Sequence, residues 1–340
     1  MNLLILSPDY SRRVNWGHQH IRDSLLTKIK NSVQYGEGFR HLGKTHIPDI
    51  CEDMRSIIGY PEVILMENWK NMRKYTGGDK VKCFKAFIVC DYFPDSRGHI
   101  NQYNRLLVEN KIDLAICNTP DVLSHIIDQR DAGNLPKSLK AVWVPQGVDT
   151  DIFKKRDLIK KYDVMAVFGL VSYIYPERPK VQSLVSSLPG ITSLIGDWKS
   201  NIKYFDYAKA INQSKIFVCA NGINNQVLMK YFEIMASGTL LLTNLPRSYE
   251  TFGFIPGEHF VTWRDLADLK EKIYYYLNES EIREQIAYNG MEFVRANYST
   301  NHVALRIHQV LSSEVISSKR RDSDVLSERN RLCGLASKGL

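Results

Sequence analysis

Short apolar runs alternate with longer amphipathic segments along most of this chain. Runs of three to five apolar residues bounded by turn residues predict buried strands, and the segments between them carry apolar residues at helical spacing. The predicted strands of the first half are 3–6, 63–66, 87–90, 114–117 and 141–144, and those of the second half are 164–168, 192–195, 216–220, 240–243 and 259–261. This alternation is typical of an α/β fold with parallel sheets and crossover helices.

The chain length and the position of one polar break predict two domains. Helical patterns cover 20–31 and 102–110 in the first half, and 265–277 and 280–297 in the second. With 340 residues, the chain exceeds the usual size of one hydrophobic core. The stretch PQGVDTDIFK at 145–154 stops the last strand of the first half. We therefore expect two Rossmann-like doubly wound domains, at 1–147 and 148–312, facing a central cleft, followed by a flexible polar tail at 313–340.

Composition and charge narrow the classes of protein. The chain is 44% hydrophobic and 24% charged, has no run of about 18 apolar residues and begins without a signal-peptide pattern. These features predict a cytoplasmic protein. The six cysteines have no zinc-site spacing and are expected to be buried thiols. A net charge of +8 favours anionic partners, which include sugar nucleotides, anionic lipid headgroups at the inner membrane face and nucleic acid.

The segment YFEIMASGTLLLTN at 231–244 is the most informative stretch for function. It places Glu233 on a buried helix that runs into a glycine turn and an apolar strand, and it places Lys230 three residues earlier on the same face. An acid that accepts two hydrogen bonds from a ribose diol, beside a cation and free N–H groups for a diphosphate, would form a nucleotide pocket. The alternative is a core helix with one salt bridge at its rim.

Two further loops of the second half follow predicted strands and carry polar groups. Gly169, Ser172 and Arg178 follow the strand at 164–168 and are suited to a diphosphate, although a glycine turn and a loop arginine are also common in any fold. Asn221 and Asn225 follow the strand at 216–220 and are candidates for sugar or phosphate contact, or for an ordinary turn.

The first half offers one candidate base and one candidate acceptor loop. Asp91 ends an apolar strand, where a carboxylate could take a proton from an incoming hydroxyl, or could cap the following turn. The loop after the first strand contains Trp16, Gly17 and His18, which could contact an acceptor by stacking, close approach and hydrogen bonding. No cluster of acids or histidines has metal-ligand spacing.

The second half resembles a known family. The motif K-x-x-E-I-M-A-S-G at 230–238, the strand LLLTN, PGEHFVTWRDLADLKEKIYYYL at 256–277 and NGMEFVRANYSTNHVALRI at 289–307 resemble the group 1 glycosyltransferases of GT-B fold, in particular the spore-maturation glycosyltransferase-like subgroup. PQGVDTDIF at 145–153 resembles the linker of that family. The first half is similar only in layout, with Asp91 in a setting like that of the catalytic-base strand of phage DNA β-glucosyltransferase.

The resemblance implies a transferase that uses a sugar linked to UDP or GDP as co-substrate, with no other cofactor and no metal. Glu233 would bind the ribose hydroxyls, and Lys230 and Arg178 would neutralise the diphosphate. Retaining members carry a second acid eight positions before the ribose-binding one, where this chain has Asn225. That departure puts a retaining mechanism in doubt, and Asp91 as base would fit an inverting one.

The acceptor and the activity itself stay open at this stage. A glycan, a glycolipid and a protein are all candidate hydroxyl acceptors for a hexosyltransferase of polysaccharide biosynthesis, and the basic first half allows contact with an anionic membrane. Nucleic acid is the less favoured acceptor, because the positive charge is spread and no nucleic-acid motif is present. The alternatives are a non-catalytic nucleotide-sugar-binding protein, a glucosyltransferase acting on modified DNA and an NAD-dependent oxidoreductase, which the absence of G-x-G-x-x-G disfavours.

Overall fold

A computed structural model describes residues 1–8, 17–39, 43–67, 75–90, 99–171, 174–197, 204–222 and 224–336. The strands are β1 Leu3–Leu6, β2 Ser32–Tyr35, β3 Val63–Glu67, β4 Phe84–Val89, β5 Leu114–Cys117, β6 Lys140–Trp143, β7 Tyr162–Val167, β8 Ser193–Gly196, β9 Ser214–Cys219, β10 Leu240–Asn244 and β11 Val261–Trp263. The α-helices are α1 Gly17–Lys28, α2 Ile47–Ile58, α3 His99–Glu109, α4 Pro120–Asp131, α5 Arg178–Ser187, α6 Tyr204–Asn212, α7 Met229–Ala236, α8 Leu266–Asn278, α9 Ser280–Tyr298 and α10 Thr300–Ala336. Short 3₁₀ turns lie at Gly78–Lys80 and Tyr249–Phe252.

The strands form two parallel sheets. The first has the order β2-β1-β3-β4-β5-β6, and the second has the order β11-β10-β9-β7-β8. Every pairing between neighbouring strands of the two sheets is parallel. The strand order reverses between β1 and β3 in the first sheet and between β7 and β9 in the second. Open α/β sheets bind ligands outside the carboxyl ends of the strands at such reversals.

The first sheet is covered on both faces, which is why its central strands β1, β3, β4 and β5 are mostly apolar. Because side chains alternate along a strand, Leu4 and Leu6 of β1 pack into a core with α2, α3 and α4. Leu3 and Ile5 pack into the opposite core, which holds residues of α1 and α10. Phe153, Phe217, Phe232 and other aromatic side chains fill the core of the second sheet.

Helix α10 extends into the segment predicted as a polar tail. It follows the second sheet in the chain but returns to the first sheet, where Val303, Ile307, Leu311 and Val315 are buried in the core that also holds residues of α1, β1 and β3. These four residues recur every fourth position and so form one helical stripe. The helix is described to Ala336, and its buried stripe reaches Val315 within the segment predicted as a flexible polar tail, whose flexibility stays a prediction. The predicted domain limits at 147 and 148 remain a prediction.

The chain passes between the two sheets at two neighbouring positions, 147–148 and 298–300. The Val148 N–H donates to the Tyr298 carbonyl at 2.9 Å, and the Thr300 N–H donates to the Val148 carbonyl at 3.0 Å. A Cβ on Gly147 would lie 2.8 Å from Val303 Cγ2, so glycine permits this close approach. Within the described ranges we find no helix with enough length and apolar character to cross a bilayer.

Candidate active site

The segments that follow the carboxyl ends of β7 and β9 carry three of the donor-site residues that the sequence predicts, Arg178, Lys230 and Glu233. Helix α5 follows β7 and begins at Arg178, and helix α7 follows β9 and carries Lys230 and Glu233. Loops from a strand to the following helix lie at the carboxyl edge of a parallel sheet, so the two helix starts lie beside the strand-order reversal. The fold therefore brings Arg178, Lys230 and Glu233 to the edge where a ligand is expected.

Arg178 is a buried clamp between the two strand ends. Its side chain is 3% exposed, its Nη1 donates to the Gly169 carbonyl at 2.9 Å, and its Nε donates to the Ala220 carbonyl at 2.9 Å. The guanidinium carbon lies 3.3 Å from the Tyr175 ring centroid. Two of the five N–H donors of the side chain thus hold backbone that follows β7 and β9. Gly169, predicted to contact a diphosphate, contributes its carbonyl to this clamp.

Glu233 is a buried carboxylate without a hydrogen-bonded partner in the described part of the chain. It is 7% exposed, and neither carboxylate oxygen accepts a hydrogen bond or pairs with a cation there. Burial raises the pKa of Glu233, and the charge of Lys230 opposes that increase. A buried acid with a raised pKa and open acceptors is a common feature of ligand sites.

Lys230 lies within electrostatic reach of Glu233 but binds elsewhere. Its Nζ donates to the Tyr207 hydroxyl at 2.9 Å and lies 4.6 Å from the centroid of that ring. The expected contact between Lys230 and Glu233 is therefore absent, because α6 supplies Tyr207 as a nearer partner. Burial lowers the pKa of Lys230, with Glu233 opposing that change and Arg178 adding to it.

Asn221 and Asn225 belong to a network that joins the loops after β9 and β10. Asn221 Nδ2 donates to Asn225 Oδ1 at 2.8 Å, and Asn225 Nδ2 donates to the Leu245 carbonyl at 2.8 Å. The Tyr231 hydroxyl donates to Asn221 Oδ1 at 2.8 Å, which ties the network to α7. Asn225 has a φ of +47°, a conformation that asparagine tolerates better than most residues. These bonds favour a positioning role for both amides.

Several predicted site residues lie where the structure gives no side-chain description. Trp16, Asp91 and Ser172 are outside the described residues. Gly17 and His18 form the start of α1, at the carboxyl side of β1. Cys90, directly before Asp91, is described, and its carbonyl accepts a hydrogen bond from the Tyr103 hydroxyl of α3. The end of β4 is thus fixed up to the residue that precedes the predicted base.

The sequence analysis missed a buried ion pair at the carboxyl end of β3. Arg22 of α1 donates from Nε to Glu67 Oε2 at 2.6 Å, and the two residues are 1% and 4% exposed. They line a small cavity of about 30 Å³ together with Asn118 and Gln146. Glu67 carries the same signal as Asp91, an acid at the end of an apolar strand. The sequence VILME at 63–67 is an apolar run that ends in an acid, and this pattern could have identified Glu67 as a candidate site residue.

Comparison with known proteins identifies the architecture. Residues 178–309, less than half of the chain, match the family model described as Glycosyl transferase-like. No curated protein gives a significant match. HepE of Anabaena, solved with UDP and glucose, has a TM-score of 0.68 and 12% identity, over 92% of this chain and 100% of that one. The fold is GT-B.

Two further solved structures agree with this fold. Sucrose-phosphate synthase of Thermosynechococcus elongatus has a TM-score of 0.64 and 11% identity, over 93% of this chain and 99% of that one. A glycosyltransferase of Rickettsia africae has a TM-score of 0.62 and 13% identity, over 92% and 98%. At such low identity the likeness shows the fold, and it confirms the predicted pair of Rossmann-like sheets.

Replacing Arg178 with lysine is expected to destabilise the protein by about 1–3 kcal/mol, since a single ammonium cannot serve both carbonyls in the same geometry and a buried acceptor would lose its partner. Urea unfolding followed by circular dichroism measures this change. Lys180→Gln is the matched control, because Lys180 is exposed and, among the residues that the structure describes, pairs with the exposed Glu177 alone. Equal stability of both variants would show that the clamp contributes nothing to the fold.

Proposed function

We propose that this protein is a glycosyltransferase that moves a sugar from a nucleotide-sugar donor to a hydroxyl acceptor. The observation that carries the proposal is the buried Glu233 carboxylate with open acceptors, at the carboxyl edge of the second sheet. The glycosyltransferase-like match at 178–309 supports it, because that stretch contains Arg178, Lys230 and Glu233. The fold is shared with HepE, which was solved with UDP and with UDP and glucose.

In the proposed donor complex, Glu233 accepts hydrogen bonds from the two ribose hydroxyls. Binding a neutral diol gives the buried carboxylate the partners that it lacks within the protein, which offsets the cost of its burial. Lys230 interacts electrostatically with both Glu233 and Arg178. In the complex, the two cations supply fixed positive charge to the diphosphate of the donor. The amides of Asn221 and Asn225 act indirectly, by holding the loops on both sides of α7.

The proposed reaction is a displacement at the anomeric carbon of the donor. The acceptor oxygen forms the new bond to that carbon, while the bond from the carbon to the diphosphate oxygen breaks. The acceptor proton passes to Asp91, and the bonding electrons leave with the nucleoside diphosphate. Positive charge near the leaving group stabilises the developing negative charge without requiring a metal.

Calorimetric titration with UDP, GDP, ADP, CMP and NAD is the first test of the proposal. We expect micromolar affinity for one nucleoside diphosphate in the presence of EDTA, and the same affinity with added magnesium. UDP is the first candidate, since HepE was solved with UDP and with UDP-glucose. Binding of NAD alone, or of no nucleotide, would contradict the proposal and leave only the fold in common with transferases.

A non-catalytic nucleotide-sugar-binding protein is the second candidate. The observation that favours it is Asn225, which stands in place of the second acid and has its amide engaged by Asn221 and the Leu245 carbonyl. Incubation with UDP-glucose and a panel of hydroxyl acceptors, followed by release of UDP, separates the two candidates. We also propose a cytoplasmic location and contact with an anionic membrane. These properties, like the choice of donor sugar and acceptor, do not follow from the shared fold.

A further inference from the structure

A second cavity lies at the opposite edge of the second sheet from the proposed donor site. It has a volume of about 650 Å³ and is bordered by Ser237 and Gly238, which follow α7, and by Lys215 near the start of β9. Gly238 is five residues beyond Glu233, at the far end of the helix whose first turn carries Lys230. The cavity therefore borders the amino ends of β9 and β10, whereas nucleotide binding is proposed at the carboxyl ends.

Positive charge dominates the lining of this cavity. Five cationic side chains face two carboxylates, namely Lys155, Arg156, Lys160, Lys215 and Arg283 against Asp157 and Glu284. Lys215 pairs with Asp163 at 2.7 Å, and Arg283 pairs with Glu284 at 3.2 Å. Lys155 and Arg156 form no ion pair with any described residue. An excess of positive charge around a concave site attracts anions.

The position of the Arg156 side chain in this cavity is not explained by the capping of a neighbouring helix. Lys160 Nζ donates to the carbonyls of Asn212 and Ser214, at 2.9 Å each. The position of Lys160 is therefore explained by its interaction with the carboxyl end of α6. Arg156 makes no such bond with its side chain, and its Nη1 is buried without a hydrogen-bond partner among the described residues. One N–H donor of a guanidinium that lines the cavity thus lacks an acceptor in the described protein, which is costly.

The backbone around Arg156 is held in place by Asn212. The Arg156 N–H donates to Asn212 Oδ1 at 2.7 Å, and Asn212 Nδ2 donates to the Lys154 carbonyl at 3.0 Å. Burial lowers the pKa of Lys160 to about 8, and the charges of Arg283 and Lys155 add to that decrease. Lys155, Arg156 and Lys160 thus lie on one loop that Asn212 holds in place, and a bound anion would stabilise this concentration of charge.

The remaining lining indicates the size and the kind of ligand. A cavity of this volume is in the range of small-molecule sites and is much larger than a bare ion requires. Tyr288 lines it with a half-exposed ring, which offers an apolar face of the kind on which sugar rings pack. Arginine and lysine together suit the oxygens of a phosphate group. We propose that this cavity is a binding site for a phosphorylated sugar, separate from the nucleotide site.

Calorimetric titration with glucose 6-phosphate, inorganic phosphate and glucose tests this proposal on the full-length protein. We expect glucose 6-phosphate to bind more tightly than inorganic phosphate, because Tyr288 contacts the ring, and we expect no binding of glucose. Arg156→Gln should weaken glucose 6-phosphate binding by about tenfold or more. Lys155→Gln should weaken it too, and it tests the site independently if the Arg156 variant is unstable.

Two control variants separate this site from its surroundings and from the nucleotide pocket. Lys154→Gln removes the same charge from an exposed neighbour that does not line the cavity, and it should bind glucose 6-phosphate like the wild type. Lys230→Gln should also leave this affinity unchanged. Absence of binding to the wild type, equal affinities for phosphate and its sugar ester, or loss of binding in Lys230→Gln but not in Arg156→Gln would overturn the proposal.

Discussion

Glu233→Gln is expected to weaken nucleotide binding by about 1.5–3 kcal/mol, since hydrogen bonds to a charged group contribute about that much. An amide can still donate to and accept from a ribose hydroxyl, so the nucleotide should keep its place with lower affinity. The same substitution is expected to stabilise the ligand-free protein. The two effects have opposite signs because Glu233 has no hydrogen-bond partner within the described protein until a ligand arrives.

The sign of the stability change follows from the pKa of Glu233. Burial raises this pKa above its value in the unfolded chain, so the folded state disfavours the charged form. The resulting destabilisation is absent below the unfolded pKa, where both states are protonated, and is complete above the folded pKa. Each unit of pKa difference corresponds to about 1.4 kcal/mol. The stability gain of Glu233→Gln should therefore be present at neutral pH and vanish in acid.

Thermal unfolding at pH 7 and pH 4, together with nucleotide titration, measures both effects. Glu271→Gln is the matched control, because Glu271 is exposed on α8, the helix that follows β11 of the same sheet. This substitution should leave stability and affinity unchanged. A variant that binds the nucleotide like the wild type would remove Glu233 from the site. A lower melting temperature for Glu233→Gln at pH 7 would mean that the carboxylate has a structural partner.

The fold was largely predictable because buried parallel strands leave a strong signal. Every strand of the second sheet overlaps a predicted run, and β5 coincides with its prediction. Strand β2, SVQY at the sheet edge, was missed because Gln34 interrupts the apolar run; its side chain is buried and accepts from Gln19. The helix over the first part of the 313–340 segment was not predicted because that segment is mostly polar, and Val315 is the last member of the buried stripe of α10 among the described side chains.

The sequence identified residues of the candidate site more readily than it identified the hydrogen-bond partners of those residues. The sequence places Lys230 and Glu233 on one helix, but it does not show that α6 brings Tyr207 to Lys230. It marks Arg178 as a cation after a strand, but it does not show that two carbonyls hold the guanidinium. Such contacts join elements that are far apart in the chain. Local spacing reports which residues share a helix face, whereas the partner across the fold depends on the packing.

Asp91→Asn is expected to reduce turnover by about 10²–10⁴-fold, the usual contribution of a general base. Asparagine cannot accept the proton of the acceptor hydroxyl, although it keeps the size and polarity of the side chain. The affinity for the nucleotide should change little, because the proposed donor contacts come from the second sheet. Transfer assays under single-turnover conditions, with nucleotide titration of the same preparations, separate these two quantities.

The pH profile distinguishes a base from a residue that only shapes its loop. If Asp91 accepts the proton, kcat/KM of the wild type rises with pH through the pKa of that base, and the residual activity of Asp91→Asn loses this dependence. Asp95→Asn is the control, since it makes the same change four positions further along the chain. Equal losses in both variants would indicate a loop effect. Full turnover in Asp91→Asn would place the base elsewhere, and Glu67, which also ends an apolar strand of the first sheet, would then be the next residue to substitute.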